Sequence, residues 1–138
     1  MAIPHGQTDE VKGSRPLILV ADDDPELVNV LVEALTLKEY RVATAANGKE
    51  ALERVEQERP QLILLDMTMP VMDGWTFARA LHERYGRGIP IVVITAVEDS
   101  QLRADELGAE GELGKPFTLE QLYDVVDDLV IRESEGLS

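Results

Sequence analysis

The segment LILLD, Leu62–Asp66, narrows most what this chain can become. It is fully apolar until its last residue and has no polar face to show to water. A strand of that kind is buried on both sides, as in a sheet with helices packed on each face. Two further β-prone apolar runs, Leu17–Ala21 and Ile91–Thr95, and a short β-prone run at Arg41–Ala45, are separated by stretches with helical spacing. Leu27, Val28, Leu31, Val32 and Leu35 repeat as one face of a helix that Asp24 caps and Pro25 opens. Asn47 and Glu50 stand at capping spacing before a second helix that ends ahead of Pro60. A Pro- and Gly-rich loop leads to a third helix near Trp75–Tyr85. SQLRADEL, residues 100–107, reads as a fourth with Gly108 past its end. A weak strand near Glu110–Gly114 precedes a last helix that Thr118 and Gln121 cap. Five strand–helix units in succession predict an α/β domain built on a parallel sheet with right-handed crossovers.

The 138 residues suit one domain, expected over 16–133, with a flexible N-terminal tail at 1–15 and a short C-terminal tail at 134–138. No apolar run approaches the roughly 20 residues that span a bilayer, and the N-terminus has no secretory character, so a cytoplasmic protein without membrane contact is expected. The 13 basic residues face 27 acidic ones, a formal net charge of −14, which argues against direct nucleic-acid binding. There is no cysteine, and neither His5 nor His82 has a second histidine at ligand spacing, so no zinc site is read.

In an open parallel sheet, ligands bind beyond the carboxyl ends of the strands. The first strand delivers Asp22 and Asp23 there, the third Asp66, the fourth Thr95, and the fifth is followed by Lys115 and Pro116. Gathered carboxylates repel one another and raise one another's pKa. A hard cation such as Mg²⁺ (or Mn²⁺), which takes oxygen ligands, would offset that cost. A carboxylate can also act as a nucleophile toward phosphorus. Phosphoryl transfer then needs mainly positioning and charge neutralisation, which the cation, Lys115 and the Thr95 hydroxyl would supply.

Four segments carry a resemblance to a known family. ILVADDDPEL resembles the acidic-pair segment of the receiver domain of two-component response regulators, LILLDMTMPVMDGW its phosphoacceptor segment, IVVITA its switch-threonine strand and GKPF its lysine–proline loop. The resemblance runs from about Leu17 to Arg132. It implies a flavodoxin-like fold with strand order 2-1-3-4-5 and Asp66 as phosphoacceptor. It implies a metal site of Asp22, Asp23, Asp66 and the main-chain carbonyl of Thr68, Lys115 paired with the phosphoryl group, and a cis bond before Pro116. It implies a phosphohistidine donor on a sensor histidine kinase or phosphotransfer protein, and a downstream protein partner. The state would be monomeric or a phosphorylation-dependent dimer. Such a domain is not an enzyme beyond its own phosphorylation and dephosphorylation.

The sequence departs from that pattern at Glu112, where the family usually places the aromatic that couples to Thr95. A glutamate does not bury there as a tyrosine ring does, because an unpaired buried charge is expensive. Four other functions fit parts of the sequence. A phosphatase of the haloacid dehalogenase type would use Asp22 and Asp24, leaving the Asp66 segment unexplained. A flavin mononucleotide binder would need a phosphate loop where the aspartates stand. A pseudo-receiver scaffold, and a phosphorelay intermediate or phosphate sink, remain as alternatives to signalling by phosphate.

Overall fold

The computed structural model describes residues 15–96 and 107–137. The elements are β1 (Leu17–Ala21), α1 (Pro25–Leu37), β2 (Arg41–Ala45), α2 (Gly48–Gln57), β3 (Leu62–Asp66), α3 (Gly74–Tyr85), β4 (Ile91–Ala96), β5 (Gly111–Lys115) and α4 (Leu119–Leu137). The strands form one five-stranded sheet in the order β2-β1-β3-β4-β5, and every neighbouring pair is parallel. This is the flavodoxin-like order expected. But for its last residue, the buried Leu107, the helix expected over 100–107 lies outside the described residues.

Strand alternation divides the core in two. Leu19, Ala21, Ile63, Leu65, Ile91 and Val93 point to one side, where Ala51 and Val55 of α2 and Phe77, Ala78 and Leu81 of α3 cover them. Ile18, Val20, Leu62, Leu64, Val92 and Ile94 point to the other, beneath Leu31 and Leu35 of α1 and Leu122, Val126 and Leu129 of α4. Burying each such side chain contributes about 1.5–3 kcal/mol, which explains why β1 and β3 are buried along their whole length.

The caps confirm the local reading, with one shift. Asp24 accepts from the N–H groups of Glu26 and Leu27, and Pro25 opens α1. Thr118 and Gln121 exchange both bonds of a capping box. Asn47 accepts from Glu50 N–H, but the Glu50 carboxylate accepts from Ala46 N–H, one residue ahead of the cap. The C-terminal boundary moves more. α4 continues to Leu137, so the stretch from Ser134, expected as tail, is helical. No proline stops it, and a single glycine, Gly136, costs a helix only about 1 kcal/mol.

The end of α1 carries a feature the sequence conceals. Glu39 N–H donates to Thr36 O and Tyr40 N–H to Leu35 O, the pair of bonds of a Schellman motif. Glu39 therefore sits at φ 68°, a conformation that suits glycine and strains a side chain. Glu39→Gly is expected to stabilise the protein by about 1 kcal/mol, and thermal unfolding beside the parent checks it.

Candidate functional site

All the strands run the same way, so their carboxyl ends share one edge of the sheet. β1 ends beside β2, and Asp22 N–H donates to Ala45 O at 3.0 Å, which holds the residue after the strand in place. Asp24 N–H then donates to Asp22 Oδ1 at 2.9 Å. That bond orients the carboxylate and leaves the other oxygen, Oδ2, buried with no hydrogen-bond partner. Lys115 Nζ, at the end of β5, lies 3.6 Å from Oδ2. This is close enough for Coulombic attraction and too far for a hydrogen bond. Asp66 closes β3 and pairs in register with Ile94; its Oδ1 accepts from Thr68 N–H at 3.3 Å.

Asp22, Asp23 and Asp66 each bring a carboxylate oxygen to within 4.8 Å of the others. Asp22 and Asp66 are 2% and 6% exposed, whereas Asp23 opens to solvent. Burial, with the neighbouring Asp22 charge, pushes Asp66 from the ordinary 3.8 up to about 6; Thr68 N–H and Lys115 pull the other way. Asp22 is raised too, chiefly by burial, against Asp24 N–H and Lys115. The cluster is thus a concentration of negative charge that a single lysine only partly balances. An orphaned buried oxygen within reach of two more carboxylates is the donor set a hard divalent cation takes.

The other expected residues fall around this cluster. Thr95 follows Ile94 on β4 and pairs with Gly114; its side chain lies outside the described residues, as does Val97. Glu112 is exposed on the edge strand β5. The Lys115–Pro116 bond is cis. Thr68, expected to supply its carbonyl, is tied to Asp66 by its N–H.

The profile of the response regulator receiver domain matches residues 18–127. The chain belongs to that family. The receiver domain is 38% identical over 119 residues to the transcriptional regulatory protein PrrA of Mycobacterium tuberculosis, covering 85% of this chain and 51% of that protein. It therefore spans about half the length of the curated relatives it matches. Among solved structures it is similar to the Vibrio cholerae chemotaxis protein CheY4, with TM-score 0.76 and 30% identity over 84% of this chain and 99% of that one. It also resembles the receiver domain of the Pseudomonas aeruginosa sensor histidine kinase PA1611, which holds a magnesium ion in its active-site cleft. That likeness has TM-score 0.77 and 29% identity, over 85% of this chain and 98% of that one. Receiver domains of this kind are not enzymes in the ordinary sense. No helix among the described residues is long and apolar enough to cross a membrane.

Two features of the segment after Asp66 escaped the sequence reading. Gly74, the first residue of α3, donates its N–H to Met67 O at 3.1 Å. A Cβ there would stand 2.7 Å from the Asp66 carbonyl oxygen. The signal, an Asp-Gly pair after the Met- and Pro-rich loop, reads locally as a helix start and says nothing of what it packs on. The second is Val71, exposed at φ 67°, in a γ-turn that Met72 N–H closes onto Pro70 O at 2.6 Å. Positive φ in a β-branched residue marks strain of the kind held at functional loops.

Proposed function

We propose that this receiver domain accepts a phosphoryl group on Asp66 from a phosphohistidine of a sensor kinase or phosphotransfer protein and signals through a protein contact. The observation that carries this reading is the buried, unbonded Oδ2 of Asp22, facing Lys115 within a triad of carboxylates. Asp22, Asp23, Asp66 and the Thr68 carbonyl would hold Mg²⁺ or Mn²⁺, which neutralises charge on the phosphoryl oxygens when bound. An Asp66 oxygen forms the new P–O bond as the P–N bond to the donor imidazole breaks, and the electron pair stays on that nitrogen. Lys115 Nζ, now turned to Asp22, is placed to pair with the incoming phosphoryl group, and the Thr95 hydroxyl would take a further oxygen. Asp24 caps α1 and orients Asp22 rather than entering the chemistry.

Output is read as protein contact. The net charge of −14 sets this chain against DNA phosphates. With Glu112 exposed on the edge strand, no aromatic is available at that position to move inward behind Thr95.

Incubation with Mg²⁺ and acetyl phosphate, followed by intact mass, tests the reading. One acid-labile phosphoryl group is expected on the parent and none on Asp66→Asn. Lys115→Ala is expected to slow labelling by about 100-fold, as loss of a charge-stabilising donor does elsewhere. Labelling of Asp66→Asn would place the acceptor at another residue, and no labelling of the parent with either acetyl phosphate or a panel of phosphorylated histidine kinases would leave the scaffold alternative in its place.

A further inference from the structure

The outer face of α3 carries a different chemistry from the acidic site. Trp75, Arg79 and His82 follow one another at i, i+4 and i+7 and so share one side of the helix. With Ala78, Arg87 and Leu107 they line a cavity of about 290 Å³, the lower end of the size range for small-molecule sites.

Its charge runs against the rest of the molecule, whose formal net charge is −14. Four cations elsewhere pair with carboxylates: Arg41 with Glu58, Arg84 with Glu56, Lys38 with Asp127, Lys115 with Asp22. Arg79 and Arg87 have no such partner among the described residues. Burial and the nearby Arg87 charge hold His82 below its ordinary value, so at neutral pH the two guanidiniums supply the charge. The carboxylate that also faces His82, Glu110, is engaged: its Oε1 accepts from Ile91 N–H at 2.8 Å.

Arg87 occupies room left by a missing side chain. Gly108 sits at φ +73°, and a Cβ built on it would fall 2.2 Å from Arg87 Nη1 and 3.2 Å from its Cζ. The guanidinium thus lies against the bare backbone of Gly108, in the wall of the cavity. The sequence offers Gly108 only as a helix stop.

We propose that this cavity is an anion site, in which Arg79 and Arg87 clamp a phosphate group, either free or borne by a small organic molecule. Guanidinium forks match the oxygens of phosphate, and paired forks match its double charge. The half-buried Trp75 and the buried Ala78 give the cavity an apolar wall that a ring attached to the phosphate would cover.

The test uses the full chain in metal-free buffer, where the aspartate cluster repels anions. Inorganic phosphate and then phenyl phosphate are titrated at constant ionic strength, following the fluorescence of Trp75, the single tryptophan, and amide shifts by heteronuclear NMR. Saturation is expected with a dissociation constant of about 1 mM, with shifts centred on α3, Arg87 and Gly108. Arg79→Gln and Arg87→Gln, both at exposed positions, are each expected to weaken binding about tenfold. Arg84→Gln, whose guanidinium pairs with Glu56 instead, leaves binding unchanged. Tighter binding of phenyl phosphate assigns the site to an organic phosphate, and equal binding assigns it to the free ion. The proposal is overturned by no saturation up to ~50 mM, by shifts centred on Asp66, or by equal losses in the Arg84→Gln control.

Discussion

In metal-free buffer at pH 7, Asp66→Asn is expected to be more stable than the parent by about 3 kcal/mol, a rise in Tm of roughly 10 °C. The rise of the Asp66 pKa from 3.8 to about 6 means that the folded protein prefers the protonated acid. The parent holds the full contribution of that group below about pH 4 and loses it as pH climbs through 6. The stability difference between parent and variant should therefore open between those values and close in acid. Asparagine keeps an oxygen to accept from Thr68 N–H and removes the charge that Asp22 repels. Mg²⁺ should invert the order, because a cation that binds only the folded parent adds stability by mass action, and the variant lacks one of its carboxylates. Thermal unfolding of both proteins over pH 4–8, with and without Mg²⁺, checks all of this. A parent equal to its variant at pH 7 without metal would mean that the site carries no electrostatic strain.

The opposing signs explain what could be read beforehand. Asp22, Asp66 and Lys115 were legible because a parallel sheet brings every strand's carboxyl end to one edge. A residue's position in its own strand then fixes its place in the site, and LILLD followed by a loop was enough. The order 2-1-3-4-5 needed the family resemblance, since alternation alone permits other windings. What stayed hidden depends on contacts between segments far apart in the chain. Glu39 occupies a glycine position without being glycine. Tyr40 Oη donates to Asp127 across 87 residues, while Tyr123 Oη donates to Ala34 O; together they tie α1 and the turn after it to α4 with no local signature. Gly108 is a helix stop by its neighbours and the seat of Arg87 by its packing.

Gly74→Ala is the sharpest case of packing overruling propensity. By helix propensity alone, alanine in place of glycine near a helix start should gain up to about 1 kcal/mol. At this position the new Cβ would stand 2.7 Å from Asp66 O and 2.8 Å from Met67 Cα, and neither backbone atom can turn aside as a flexible side chain can. Relief requires α3 or the loop after β3 to shift, at a cost of about 3 kcal/mol for overpacking against backbone, so the net is a loss of about 2 kcal/mol or more. The displaced segment begins at Asp66 itself, so the effect should reach the chemistry. Phosphorylation by acetyl phosphate is expected to slow by about 100-fold, the scale of a misplacement near 1 Å. Urea unfolding and labelling rates measured on the same samples separate the two effects. A variant that loses stability and labels at the parent's rate would show that the loop moves without carrying the carboxylate. Loss of both ties the entry of α3 to the position of Asp66, and with it the reason a glycine follows Asp73.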